Sequence, residues 1–489
     1  MINIEQLDDR LRISHYGKDG KVHFKDIPVP RTEKYKWELA GPERKDPFFT
    51  SWDNKPVKKT RAFWLNRFRI EEFLCSLGED YLKDVYEFNN PEIWFCDIEV
   101  EVIDEFPDPA IAKTPVTTVA LVNSKGQSFV LGTKKLEPNQ IQNIEKRYRE
   151  HLKQFDKNPH FEYFYFESEA EMLATLFEKW FKNAPLITGW NFIHFDWKYL
   201  INRCKRLGVD PKTCSLNKTL NGEDNLPMHK IVVDYLDIYK KWDRVVKIKE
   251  NNKLDTVAKA VLGIEKIKYS GSFTDLYNND FETYVFYNAV DTYLVYLINN
   301  KINTMQTFLM LGNVTRVEAQ KAYSPIWMTE SIMVREFYKR KKIIAEVKKG
   351  SKSHAFEGAY VKDPKKGLHK YLATFDFASL YPSTMRQWNI SPETFLGKNF
   401  DADQQNENVI VTASGAAFDN SSDSVMRTIL TEFYQKRKDS KKKAFEIEKE
   451  IDFLKKGSLQ QVNVTQPELY RAYKLLNIPV HTFTKHTGA

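Results

Sequence analysis

Cysteine is scarce in this sequence. The four present, Cys75, Cys96, Cys204 and Cys214, are scattered and form no C-x-x-C pair, which argues against a zinc site and for reduced thiols in a cytosolic protein. Long apolar runs are missing too. The longest are as short as residues 293–298, well under the roughly 20 residues a membrane span needs. The first ten residues carry three acids and no apolar stretch, so they do not read as a secretory signal. There are no internal repeats, and neither charge sign dominates: 74 Lys and Arg against 66 Asp and Glu leave +8, which permits a nucleic-acid partner without requiring one. What the chain has is aromatic mass. With 33 Phe, 24 Tyr and 10 Trp among 489 residues, the disordered and fibrous classes are excluded, and there is core material for about three domains.

The periodicity alternates between strand and helix, an α/β pattern. Residues 11–13 and 22–24 form a hairpin around Tyr16-Gly17-Lys18-Asp19-Gly20-Lys21. A helix over 70–77 precedes strands at 93–102, 116–122 and 127–131. A helical period covers 169–181, with Ser168 as N-cap and Glu171 completing a capping box. A short strand at 187–190 leads to a helix over 197–207. Residues 217–234 read as a projecting hairpin, 281–302 as a long helix, and 302–338 as further helices. From 339 to 370 basic residues dominate, which fits a solvated linker and a phosphate-contacting strip equally well. Another helix starts at Ser424 and runs over 425–454, strongly basic in its middle.

Chemistry is carried by acids. Asp97 and Glu99 are two apart on a strand, so period two puts both carboxylates on one face. Buried side by side they repel, and a divalent cation such as Mg²⁺ is the simplest compensation. The plain alternative is an edge strand with one face in water, and Glu101 on the same face agrees with that. Asp196 follows a strand and a turn, where an acid can face a cleft. Tyr287 and Asp291 are i, i+4 on a helix and share a face. His194 reads as a structural or surface histidine.

The ordered set D-x-E at Asp97 and Glu99, N-x-x-x-F-D at Asn191 to Asp196, and Y-x-x-x-D at Tyr287 to Asp291 resembles the three motifs of DnaQ-like 3′→5′ exonucleases, whose fold is RNase H-like. A second stretch, Asp376-Phe377-Ala378-Ser379-Leu380-Tyr381-Pro382-Ser383, resembles motif A of family B DNA polymerases. The flanking Asn389-Ile390-Ser391-Pro392-Glu393-Thr394, the Glu357-Gly358-Ala359-Tyr360-Val361 ahead of it, and Phe106-Pro107-Asp108-Pro109 after the first exonuclease motif sharpen the match. Together they look like the replicative polymerase of T-even-type myophages and their relatives. That resemblance implies a two-metal exonuclease site (Asp97, Glu99, Asp196 and Asp291 as ligands, Tyr287 orienting water, Asn191 touching DNA) and a palm metal site at Asp376 and Phe377. Asp376 is expected to end an apolar strand, Ser379 to Pro382 to form a turn cradling a triphosphate, and Tyr381 to pack against the sugar as a steric gate. Arg437 and Lys441, i, i+4 on the basic helix, match a fingers helix that presents both to the incoming triphosphate.

The resemblance then breaks. Motif B, K-x-x-x-N-S-x-Y-G, and motif C, D-T-D-S, are missing. Lys474-Leu475-Leu476-Asn477 starts like motif B but continues into Ile478-Pro479, and Asp401-Ala402-Asp403 lies in a polar loop. The expected organisation is a mixed α/β N-terminal domain from 1–90 and 302–350, an exonuclease domain at 91–301, a partial palm at 351–420 and partial fingers at 421–489. The implied partners are primer-template DNA, a deoxynucleoside triphosphate and a second polymerase chain bearing motifs B and C and the thumb, with a sliding clamp and a single-stranded-DNA-binding protein through the holoenzyme, and no membrane. The implied cofactor is Mg²⁺, replaceable by Mn²⁺, and the implied location is the cytoplasm of an infected bacterial host. The rival readings are a free-standing exonuclease and a non-catalytic single-strand-binding remnant.

Overall fold

Alternating apolar positions near the N-terminus close into a three-stranded antiparallel sheet in the computed structural model, which describes residues 1–103, 106–242, 251–264, 267, 271–345 and 361–455. The motif-B-like segment, the tail after it, residues 346–360 of the basic stretch and Glu357 to Tyr360 before motif A lie outside the described residues. The strands are Asn3–Gln6, Arg10–Tyr16 and Val22–Pro28, and the expected hairpin pairs Tyr16 with Val22. Gly20 sits at φ +71°, the left-handed backbone that this turn needs. Leu11, Ile13 and Ile27 of this sheet pack on Phe73 and Leu74 of the helix Arg67–Leu77, whose first turn is capped by Asn66.

The chain divides into two units: Met1–Glu38 with Lys59–Arg340, and Leu39–Lys58 with Lys341–Ala489. The first unit is built on a six-stranded mixed sheet. Its order is His160–Tyr165, Gln127–Gly132, Val116–Asn123, Ile93–Val100, Leu186–Gly189, Ile231–Asp234. Ile93–Val100 runs antiparallel to Val116–Asn123 and parallel to Leu186–Gly189. It has a neighbour on each side at Ile93 to Phe95, whereas at Asp97 and Glu99 only Val116–Asn123 pairs with it. Both acids are nonetheless half-buried and not on a face open to water.

Period two divides the sheet's faces. Ile93 and Phe95 pack into one core with Ile144 and Tyr148 of the helix Pro138–Leu152 and Val285 and Val290 of the helix Phe281–Ile302. Cys96, Ile98 and Val100 pack into the other, with Met172, Leu173, Tyr199 and Leu200. Asp97 and Glu99 continue the first face, under Phe281–Ile302. That helix is buried over most of its circumference, as an apolar sequence without a polar stripe requires.

Two helices differ from expectation in kind. The one over 169–181 is α from Glu169 to Thr175 and π from Leu176 to Phe181. Ser168 does cap it, but Glu171 accepts from the amide of Glu167 at 3.3 Å, one residue ahead of the cap, so the reciprocal box does not form. The helix at 198–207 is preceded by a π turn, Ile193–Trp197, in which the Trp197 amide reaches back five residues to the Phe192 carbonyl at 2.7 Å.

In the second unit, Phe395–Gly397, Val409–Val411 and Ala417–Asp419 form a small antiparallel sheet with Ala417–Asp419 in the middle. The helix Leu380–Gln387 is joined to the helix Val425–Lys455 through Arg427, which donates to the Arg386 carbonyl at 2.8 Å, and through Arg386, which donates to Thr431 at 3.1 Å. Ser424 caps the long helix as expected, accepting from the Arg427 amide at 3.0 Å. Asn389 ties the unit together, its side chain donating to the carbonyls of Asp419 and Ser422 and accepting from the Ser424 amide.

Candidate active site

Three elements deliver acids to one place. The central strand Ile93–Val100 supplies Asp97 and Glu99. The turn after Leu186–Gly189 supplies Asp196, which is 4% exposed and accepts from the Ile98 amide at 2.9 Å. That amide belongs to the residue between Asp97 and Glu99, so Asp196 is locked between the two strand acids. The approach is tight because Gly189 has no side chain: a Cβ there would lie 2.1 Å from the Cys96 carbonyl oxygen. The π turn adds one residue to the helical repeat and aims Asp196 back at the strand, a distortion that recurs at functional sites.

The helix Phe281–Ile302 closes the group from above with Tyr287 and Asp291, 6% and 8% exposed. Tyr287 hydrogen-bonds Asp291, and burial, followed by the charges of Asp291, Glu99 and Asp255, pushes its phenol far above the ordinary range. Burial likewise pushes Asp196 well up, reinforced by the charge of Asp97 and opposed by the Ile98 amide. Tyr284, one turn earlier, is pushed up by burial and by Glu99, and shares a 2.6 Å hydrogen bond with Thr117. The site is a concentration of negative charge under a buried helix.

Asn191 is exposed at the turn that carries Asp196, with φ 63°. Phe106 is 79% exposed and rests on Phe195, the residue before Asp196, with ring centroids 5.4 Å apart. The 217–234 hairpin is present as two short strands, Leu220–Asn221 and Leu226–Pro227. Its tip is tied down: the Trp197 indole donates to the Asp224 carbonyl at 3.0 Å.

Sequence reasoning missed three neighbours. Asn288 donates to Asp97 Oδ2 at 2.8 Å. Asp255 lies close enough to Tyr287 to act on its phenol. Asp234 ends the strand beside Leu186–Gly189 and, with His194 and Asp237, forms a group whose ligating atoms lie within 4.8 Å of one another. Asp234, however, accepts from the amides of Ile193 at 3.1 Å and Leu236 at 2.9 Å, and His194 pairs with Asp237 at 3.1 Å, so this group closes a loop, in line with a structural histidine. The only available signal was adjacency, Asn288 following Tyr287; a lone buried amide has no periodicity.

The second unit holds the other expected residues. No strand ends at Asp376: residues 372–377 are irregular, and Asp376 and Phe377 are exposed. The apolar pattern is there, but among the described residues no strand pairs with it, and an unpaired strand has no ladder to hold it. The expected turn at Ser379 to Pro382 is instead a helix start. Ser379 is left-handed at φ 54°, Leu380 opens the helix Leu380–Gln387, and Tyr381 is 72% exposed on its first turn. Arg437 and Lys441 both lie exposed on Val425–Lys455.

Two family profiles match this sequence. One, described as DNA polymerase family B, exonuclease domain, covers residues 57–257, which include Asp97, Glu99 and Asp196. The other, described as DNA polymerase family B, covers 323–461, which include Asp376, Arg437 and Lys441. The DNA-directed DNA polymerase of Escherichia phage RB69 is 25% identical over 490 aligned positions, 90% of this chain and 53% of the relative. That of Enterobacteria phage T4 is 25% identical over 464, 87% of this chain and 50% of the relative. DNA polymerase 1 of Sulfolobus acidocaldarius is 28% identical over 343, 63% of this chain and 36% of the relative. The chain thus spans about half the length of the phage polymerases it matches.

Proposed function

We propose, for a chain that belongs to the family B DNA polymerases and carries their exonuclease domain, that the acid cluster removes nucleotides from the 3′ end of DNA. The observation that carries this reading is Asp196 hydrogen-bonded to the amide between Asp97 and Glu99, with Tyr287 and Asp291 lowered onto them by one buried helix. Carboxylates gathered this closely need a cation, and a set of hard oxygen donors suits Mg²⁺ or Mn²⁺. Burial, and after it the charge of Asp97, pushes the Asp196 carboxyl up, and a cation would favour its ionised form. Asp97, Glu99, Asp196 and Asp291 would hold the metal, which would supply an activated water and charge to stabilise the leaving 3′ oxygen. Tyr287 keeps its phenolic proton at neutral pH, donates it in a hydrogen bond to Asp291, and orients water through the lone pairs of its oxygen. Phe106 and Phe195 offer two rings in contact, tilted at 41° to one another, beside the acids, a platform on which the bases of an unpaired strand can lie.

The test is direct. Asp97→Ala with Glu99→Ala abolishes Mg²⁺-dependent 3′→5′ digestion of single-stranded DNA and leaves the circular-dichroism spectrum and melting temperature of the wild type. Digestion at the wild-type rate by this variant rejects the reading.

For the second unit we propose half of a DNA-polymerising site, with Asp376 and Phe377 toward the metal, Ser379, Leu380 and Tyr381 toward the nucleotide, and Arg437 and Lys441 toward its phosphates. The remaining half comes from polypeptide outside these 489 residues, which we assign to a second chain. The supporting observation is exposed apolar surface around Asp376: Leu372 is 81% exposed, Phe375 91% and Phe377 75%. Soluble proteins cover such surface with a partner. A non-catalytic single-strand binder is not favoured, because clustered carboxylates repel phosphate. Among the described residues no helix is long and apolar enough to cross a membrane. The likeness to phage polymerases supports work on DNA in the cytoplasm of an infected bacterium.

A further inference from the structure

We infer that Asn288 is a positioning residue that sets the carboxylate of Asp97 for metal binding, an inference that rests on the exonuclease reading above. Its side-chain nitrogen donates to Asp97 Oδ2 at 2.8 Å. A carboxylate that accepts here admits only the Nδ2 side of the amide, so the orientation of Asn288 is fixed by its partner. Asn288 is 0% exposed, on the same turn of Phe281–Ile302 that carries Tyr287 and Asp291. One turn of one helix thus sets both ends of the cluster, Asn288 on Asp97 and Tyr287 on Asp291.

Packing does not account for an amide at this position. Asn288 Oδ1 is buried, and among the described residues it has no hydrogen-bond partner. An apolar side chain would fill the space without stripping water from a carbonyl oxygen. What an amide provides and a leucine does not is the donor to Asp97. A neutral donor holds one carboxylate oxygen of Asp97 in a fixed position. Unlike a lysine, it does so without adding a positive charge that would compete with a cation. Groups that orient metal ligands in this way typically alter metal affinity or activity 10- to 100-fold when removed.

The experiment uses the full chain. Mn²⁺ binding is measured by calorimetry in the absence of DNA, and digestion of a single-stranded oligonucleotide is followed at saturating Mg²⁺. Asn288→Leu weakens Mn²⁺ binding about tenfold and lowers kcat, with KM for the oligonucleotide unchanged. In an Asp97→Asn background the same substitution adds no further weakening. Asn288→Ala, which loses the donor without added branching, repeats the loss of Mn²⁺ affinity. Mn²⁺ affinity within twofold of the wild type in Asn288→Leu overturns the inference, as does an undiminished effect in the Asp97→Asn background. Failure of both Asn288 variants to fold overturns it in favour of a packing role. Digestion that survives Asp97→Ala removes the exonuclease reading and this inference together; digestion lost in Asp97→Ala but unaltered in Asn288→Leu removes the inference alone.

Discussion

Single residues in this protein take their chemistry from what covers them. Glu72 is 1% exposed, accepts from the Trp37 indole at 2.9 Å and stands 3.4 Å from the Arg69 guanidinium. Burial outweighs these partners and pushes its carboxyl up to about 7 from 4.5. An acid whose folded value is raised binds its proton more tightly when folded. Its contribution is fully present below about 4.5 and is lost as pH rises to about 7. A shift of this size corresponds to about 3 kcal/mol. Wild-type stability should therefore fall across that window relative to Glu72→Gln and run parallel to it above, as thermal melts from pH 5 to pH 8 would show; parallel curves throughout would remove Glu72 as the cause. At this scale the sequence was half legible. Asp97 with Glu99, and Tyr287 with Asp291, follow from periods of two and four. Asn288, Asp255 and the state of Glu72 do not, because which helix or strand covers a lone polar group is a tertiary fact.

Elements were more legible than residues, and their failures share a cause. The long helix at 281–302, the helix starting at Ser424 and the first hairpin stand close to where periodicity and caps put them. The strand before Asp376 does not form, since apolar pattern yields a strand only where a neighbour accepts its hydrogen bonds. The π turns at Leu176–Phe181 and Ile193–Trp197 have no simple pattern, yet one of them aims Asp196. Gly189 tests how closely that aim depends on the element beneath it. A Cβ at this position would lie 2.1 Å from the Cys96 carbonyl oxygen, a backbone atom that cannot step aside as a side chain can. Gly189→Ala should cost about 3 kcal/mol or more in denaturant unfolding and abolish digestion. Gly208→Ala is the comparison: φ is +71° there and nothing lies within 4 Å, so only backbone strain of about 1 kcal/mol is expected, with digestion unchanged. Equal costs would mean the contact at Gly189 relaxes.

For the molecule as a whole, one proposed catalytic constellation is gathered within its unit and the other is not. Asp97, Glu99, Asp196, Tyr287 and Asp291 come from three elements of the first unit and are buried or half-buried together. Asp376, Phe377 and Tyr381 stand exposed in the second unit, and Arg437 and Lys441 project from a solvated helix. Phosphoryl transfer to a primer 3′-OH needs metal held by at least two well-placed carboxylates, and the sequence offers Asp376 without the D-T-D-S that would bring a second. These 489 residues alone should therefore leave a primer unextended in Mg²⁺ with all four deoxynucleotides while still shortening it from the 3′ end. Adding a polypeptide that carries motifs B and C and the thumb should restore extension, and the same addition should bury the apolar side chains of Leu372, Phe375 and Phe377, read as loss of hydrogen exchange across residues 372–377. Asp376→Ala in the reconstituted pair should remove extension and spare digestion, whereas Asp97→Ala should do the reverse. Extension by the isolated chain would require a second palm acid within it and would end the half-site proposal, with the exonuclease assignment untouched because its residues lie in the other unit.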